Sequence, residues 1–294
     1  MAQSIQILLN GRYHLNGGAI LNLSNRAFMY GDSICEIIHS CAGRLCYFSE
    51  HIQRLTSAMK LAGMDIPELF LSEQETLRDE ISKMLVKNKV FKGANVKIIV
   101  FRTDSEDAIM TKNNSIEYAV TIETLNQTGF DINKDGLWIS DYDKFKKYPS
   151  PLWNYQTHEN TFLKITAFKE LESSLDKLHD VILLNHNGNW ASAAIYGNVF
   201  VMMKDKTIYT PPLSEGALDD VFRDKVIEIL TKSGHKVETQ KTVTQELAKQ
   251  ADQIFLASTA FGIRWVAAYT KRRFFRTLAQ EVATKINQLY QEAE

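Results

Sequence analysis

His158 and Glu159 stand side by side after Gln156-Thr157, an imidazole and a carboxylate that could pass a proton between them. The plainer reading makes them the polar first turn of a helix. Arg54 follows Glu50 by four residues in Glu50-His51-Ile52-Gln53-Arg54-Leu55. Its guanidinium could hold an anion, or pair with Glu50 across one helical turn. Arg102 ends a run of branched residues, where it could bind a carboxylate or pair with Asp104 at the surface. Lys144, Lys146 and Lys147 crowd together in Asp143-Lys144-Phe145-Lys146-Lys147, amines that read as a solvated strand end. Cys35, His39, Cys41 and Cys46 match no common zinc spacing, so free or buried thiols are expected and no metal. Lys271-Arg272-Arg273 with Phe274-Phe275 reads as a hairpin tip rather than a nucleic-acid surface.

The bulk properties agree. The 294 residues carry a formal net charge of −1, which gives no reason to expect a nucleic-acid or anionic-membrane partner. Hydrophobic residues at 45% and charged residues at 23% describe an ordinary globular chain. Three cysteines within a short span suit a reducing compartment. No basic leader and no apolar run of bilayer length is visible, so a cytoplasmic protein is expected.

The elements that must position these groups follow from periodicity. Asn10-Gly11 predicts a hairpin, and a second one should turn at Ala42-Gly43. Ser49 is expected to cap a helix carrying Ile52, Leu55 and Met59, with Gly63 at its end. Ser72 and Glu75 should form a capping box ahead of Leu77, Ile81, Met84 and Leu85. Strands are expected over 96–101 and 116–123. Residues 126–136 read as a linker between a domain over 1–125 and another over 137–294. Beyond it, Phe162, Ile165, Phe168, Leu171 and Leu175 repeat at helical spacing as a core stripe. Strands should surround Asn187-Gly188, and Phe222, Val226, Ile229 and Leu230 should face inward from a helix. Ile254-Phe255-Leu256 and 263–268 read as a hairpin pair, followed by a closing helix with Leu278, Val282, Ile286 and Leu289. Hairpins mixed with helices, without regular βαβ alternation, argue for an α+β arrangement.

Asn25-Arg26-Ala27-Phe28-Met29-Tyr30-Gly31-Asp32-Ser33, taken with the Arg54 motif and Thr210-Pro211-Pro212-Leu213-Ser214-Glu215-Gly216, resembles the class-IV aminotransferase family. That family of pyridoxal-phosphate enzymes includes branched-chain and D-amino-acid aminotransferases and aminodeoxychorismate lyase. The resemblance implies a two-domain, D-amino-acid aminotransferase-like fold of type IV, α+β (α/β by some schemes). It implies a small N-terminal α/β domain, a larger C-terminal domain and a homodimer. It also implies roles. Arg54 becomes the phosphate arginine, and Ser258 and Thr259 a hydroxyl pair of the phosphate cup. Tyr30 and Arg102 take positions that recognise the substrate carboxylate.

The same frame exposes departures. The imine-forming lysine should fall on Gln156, or on Thr157 if the following helix sets the alignment. The carboxylate facing the pyridine nitrogen should fall on Ser192 or Ala193. The phosphate loop Gly-Ile/Val-Thr-Arg reads Asp220-Val221-Phe222-Arg223. The expectation is an aminotransferase-like pseudoenzyme that binds a small carboxylate or amino-acid-like anion in the interdomain cleft. The alternatives are an active aminotransferase or lyase with unconventional cofactor attachment, and a purely structural dimer.

Overall fold

The computed structural model describes residues 6–15, 21–103, 109–173 and 178–292. The chain divides into two units. One runs to Gly129 and takes in Gln156–His158; the other holds Phe130–Tyr155 and Glu159–Gln291.

In the first unit, β1 (Gln6–Leu9) and β2 (Arg12–Leu15) are joined by Asn10 and Gly11, both at positive φ as a tight hairpin turn requires. The expected second hairpin is present as β3 (Ser33–Cys41) and β4 (Arg44–Leu45). With β5 (Gly93–Arg102) and β6 (Ile116–Leu125) the order is β2-β1-β6-β5-β3-β4, and the two-residue strand Gln156–Thr157 adds to β3. The short helix α1 (Arg26–Tyr30) is capped by the Asn25 side chain and stops at Gly31. Helices α2 (Phe48–Leu61) and α3 (Gln74–Lys87) bury the expected stripes, Ile52, Leu55 and Met59 on one and Leu77, Ile81, Met84 and Leu85 on the other.

Two expected caps do not form. Tyr47, in a left-handed conformation, precedes α2, so Ser49 lies inside the helix. The Ser72 hydroxyl turns back to Glu68, and α3 starts from Glu73 without a side-chain cap.

In the second unit the chain lays down β7 (Leu137–Lys147), and after the returning strand β8 (Gln156–Thr157) comes helix α4 (His158–Ser173). There follow β9 (Asp180–Asn185), β10 (Trp190–Ala193), β11 (Asn198–Met202) and β12 (Ile208–Tyr209). Then come α5 (Val221–Lys232), β13 (Val237–Glu238) and α6 (Gln245–Gln250). The chain closes with β14 (Gln253–Ser258), β15 (Gly262–Tyr269), β16 (Arg272–Arg273) and α7 (Thr277–Glu292). The sheet order is β10-β9-β7-β15-β14-β11-β12-β13, parallel where β7 meets β9 and β15, with β16 on β15. Helix α5 buries Phe222, Val226, Ile229 and Leu230, and α7 buries Leu278, Val282 and Ile286, as their spacing predicts.

Helix α4 departs from expectation. Phe162, Ile165 and Phe168 are exposed, Phe162 by 73%, while Ala167 and Leu171 are buried with Leu163 beside them. Leu175 lies outside the described residues. Among the described residues no helix is long and apolar enough to cross a membrane.

Candidate ligand site

Gln156 and Thr157 sit opposite Cys35 and Ile34 in the β3–β8 ladder, so the sheet of the first unit fixes both backbones. Buried Asn160 donates to the carbonyls of Trp153 (2.7 Å) and Tyr155 (2.6 Å), tying the start of α4 to the turn before β8. The side chains of His158 and Glu159 lie outside the described residues.

On the adjoining strand, buried Glu36 gives one carboxylate oxygen to His51 Nδ1 (2.6 Å) and the other to the Arg54 guanidinium. Strand β3 brings Glu36, one face of α2 brings His51 and Arg54, and the three meet. Glu36 comes to Arg54 from another element, and nothing local in the sequence points to it. A carboxylate that holds one edge of a guanidinium sets the direction of its remaining donors.

Arg102 is anchored within its own unit. It donates to Asp32 Oδ1 (2.6 Å), to Asn114 Oδ1 (3.3 Å) and to the Ala62 carbonyl (2.5 Å). Arg26 takes the other oxygen of Asp32 at 3.0 Å and lies 5.1 Å from the centre of the exposed Tyr30 ring. Asp104 lies outside the described residues.

In the second unit, Ser192 and Ala193 end β10 fully buried. Asp180, also fully buried, accepts from the backbone N–H groups of Val181 (2.7 Å), Ile195 (3.0 Å) and Tyr196 (2.9 Å) and so holds the turn after β10. Burial pushes its carboxyl up to about 6 against the lowering effect of those bonds. Gly197 completes the turn at φ 88°, where a side chain would meet the Ala257 carbonyl and Ser258 Cβ at 2.8 Å.

The segment 220–223 shows the largest consequence of a residue exchange. Asp220 is the N-cap of α5, its Oδ1 accepting from Phe222 N–H at 2.9 Å. The same oxygen accepts from the Thr259 hydroxyl at 2.7 Å, and Oδ2 from Thr259 N–H at 3.3 Å. A helix N-terminus and a hydroxyl loop form an anion cup by their donors. Here a side-chain carboxylate takes those donors.

Elsewhere in the second unit other donors are left over. Ser192 Oγ, Asn198 Nδ2, Thr210 Oγ1, Arg223 Nε and Ser258 Oγ are buried without a hydrogen-bond partner among the described residues.

Lys147, expected at a solvated strand end, is instead 1% exposed. The β7 strand continues through it, alongside Asn185 of β9, and the Gly216 turn covers it. Cys41 and Cys46 are buried free thiols, and burial pushes Cys46 up to about 12. Among the described residues no three His, Cys, Asp or Glu side chains gather as metal ligands would.

A pyridoxal-phosphate site needs an imine-forming amine, an acid for the ring nitrogen and free donors for the phosphate. Gln156 and Thr157 offer no amine, Ser192 and Ala193 no acid, and Asp220 engages the loop donors. These residues do not fit that group.

The scaffold nonetheless has counterparts. The aminodeoxychorismate lyase of Bacillus subtilis is 24% identical over 259 residues, 87% of this chain and 84% of that protein. The branched-chain aminotransferase of Thermoproteus uzoniensis, solved with norvaline, superposes with a TM-score of 0.87 at 19% identity, over 99% of this chain and 96% of that one. The branched-chain aminotransferase of Escherichia coli gives a TM-score of 0.84 at 19% identity, over 99% of this chain and 96% of that one. The two-unit α+β architecture is thus that of fold type IV. The model of the amino-transferase class IV family matches residues 33–269, and the chain belongs to that family.

Proposed function

We propose that this protein is a class-IV aminotransferase scaffold that has given up pyridoxal-phosphate transamination and binds a small carboxylate-bearing ligand, as a homodimer. The observation that carries this reading is Asp220, whose carboxylate takes the donors of Phe222 and Thr259. A phosphate dianion brought to those donors would meet a like charge and find the Phe222 and Thr259 N–H groups already taken. The exchanges at Gln156 or Thr157 and at Ser192 or Ala193 support the same reading, because they remove two independent requirements, the amine and the ring acid.

The ligand class is supported by what remains. The leftover groups of Ser192, Asn198, Thr210, Arg223 and Ser258 can all donate hydrogen bonds. An unsatisfied buried polar group costs about 1–3 kcal/mol, and an acceptor-rich anion would relieve that cost. The relatives include both a lyase and aminotransferases, so kinship alone selects no reaction.

The test is to add pyridoxal phosphate to the purified protein, record the visible spectrum, reduce with borohydride and map the peptides by mass. The expected result is no spectral shift and no adduct. A stoichiometric adduct on one lysine, with a shifted absorbance, would overturn the reading.

A further inference from the structure

Along β5 and β6 of the first unit, Val96, Ile98, Val120 and Ile122 are buried in the core. Their neighbours alternate to the other face of the sheet. There Ile37, Lys97 and Thr121 form one cross-strand row, and Asn95 stands opposite Glu123 in the next. These side chains, with Ile122, line a recess of about 130 Å³.

The recess is anchored by a buried group. Asn95 is 5% exposed and donates to Glu123 Oε2 at 3.2 Å, which fixes the carboxylate at the wall. Lys97 and Glu123 are exposed, and Thr121 is half-buried. The Lys97 ammonium, the Thr121 hydroxyl and Glu123 Oε1 have no hydrogen-bond or ion-pair partner among the described residues. Lys97 and Glu123 are diagonal neighbours across the two strands, a placement that sets Cα atoms about 7–8 Å apart. The recess therefore offers a cationic donor, a hydroxyl and an anionic acceptor in series, with apolar Ile37 beside them.

We propose that this recess binds the hydroxyl groups of a short uncharged polyol. A hydroxyl both donates and accepts. One hydroxyl of such a ligand can donate to Glu123 while another accepts from Lys97, and Thr121 can serve either between them. Hydrogen bonds to charged groups are the stronger kind, and the two opposite charges leave the recess neutral as a whole. A simple carboxylate would gain Lys97 and stand against Glu123; a simple amine would meet the reverse. An α-amino acid carries both its charges on one carbon, too close together to span the diagonal. The inference stands on the first unit alone and does not depend on the carboxylate reading.

The test is titration of the full, isotope-labelled chain with erythritol, read by amide chemical shifts, with acetate and alanine as comparison ligands. Erythritol should move the Lys97, Thr121 and Glu123 amides saturably in the millimolar range. Lys97→Met should weaken that binding about tenfold and Thr121→Val about fivefold, as loss of a charged and of a neutral hydrogen bond would. The absence of a saturable shift at these residues in the unmodified protein would overturn the proposal, and that result needs no variant. Undiminished binding in both variants would overturn it as well. So would acetate or alanine moving the same amides at lower concentration than erythritol. The pyridoxal-phosphate adduct test is independent of each of these results.

Discussion

At the scale of single residues, Asp220 does two things at once. It caps α5 through Phe222 N–H and it joins α5 to the Thr259 loop. Removing the carboxylate should therefore separate stability from anion binding. Asp220→Ala loses a cap, worth about 1 kcal/mol, whereas Asp220→Gly loses only a few tenths from capping alone. Both free the donors of Phe222 and Thr259. Thermal melts in inorganic phosphate should show stabilisation by phosphate in either variant and little in the parent. Equal phosphate effects in all three proteins would show that Asp220 does not close the cup. How much of this is legible in the sequence depends on range. The exchanges at Gln156 or Thr157, at Ser192 or Ala193 and at Asp220 are readable because motif spacing sets them against the residues pyridoxal-phosphate chemistry requires. That Asp220 reaches a hydroxyl 39 residues away is not readable. Lys147 escapes sequence reading for a related reason. A local run of lysines looks solvated, and only the tertiary cover of Asn185 and Gly216 makes its last member a core residue.

At the scale of elements, periodicity finds most helices and strands, while it errs on caps and on one helix face. Ser49 and Ser72 have the right residue type and spacing, yet the preceding turns bring the chain in at other angles. In α4 the spacing of Phe162, Ile165 and Phe168 is as regular as that of Leu163, Ala167 and Leu171. Periodicity cannot choose between two apolar faces; the sheet chooses, since Val181, Leu183 and Tyr142 meet the leucine face. A pair of substitutions checks this. Leu171→Ala opens a cavity and should cost about 2–4 kcal/mol in urea unfolding. Phe162→Ser on the exposed face should change stability by less than about 0.5 kcal/mol. If the order of the two effects is reversed, α4 is rotated relative to this structure.

At the scale of the whole molecule, the question is what covers the apolar residues that neither unit's core uses. Phe28 and Met29 on α1 are 71% and 54% exposed, and exposed Ile109 is held beside that helix by its carbonyl, which accepts from Arg26 at 3.0 Å. Met110 and Leu23 extend the same class of surface. Contiguous exposed apolar residues on a globular chain mark interaction surfaces more often than chance placement. The proposed homodimer gives them an occupant without invoking another protein. Light scattering coupled to size exclusion should return a mass twice that of the 33.5 kDa chain. Phe28→Ser with Met29→Ser should shift the protein toward monomer while leaving circular dichroism unchanged, because neither side chain belongs to a core. A monomeric parent protein would remove the homodimer from the proposed function and leave the carboxylate site to be explained within one chain. A dimer insensitive to this double substitution would place its interface on another surface, with the exposed Phe162, Ile165 and Phe168 face of α4 the next to be substituted.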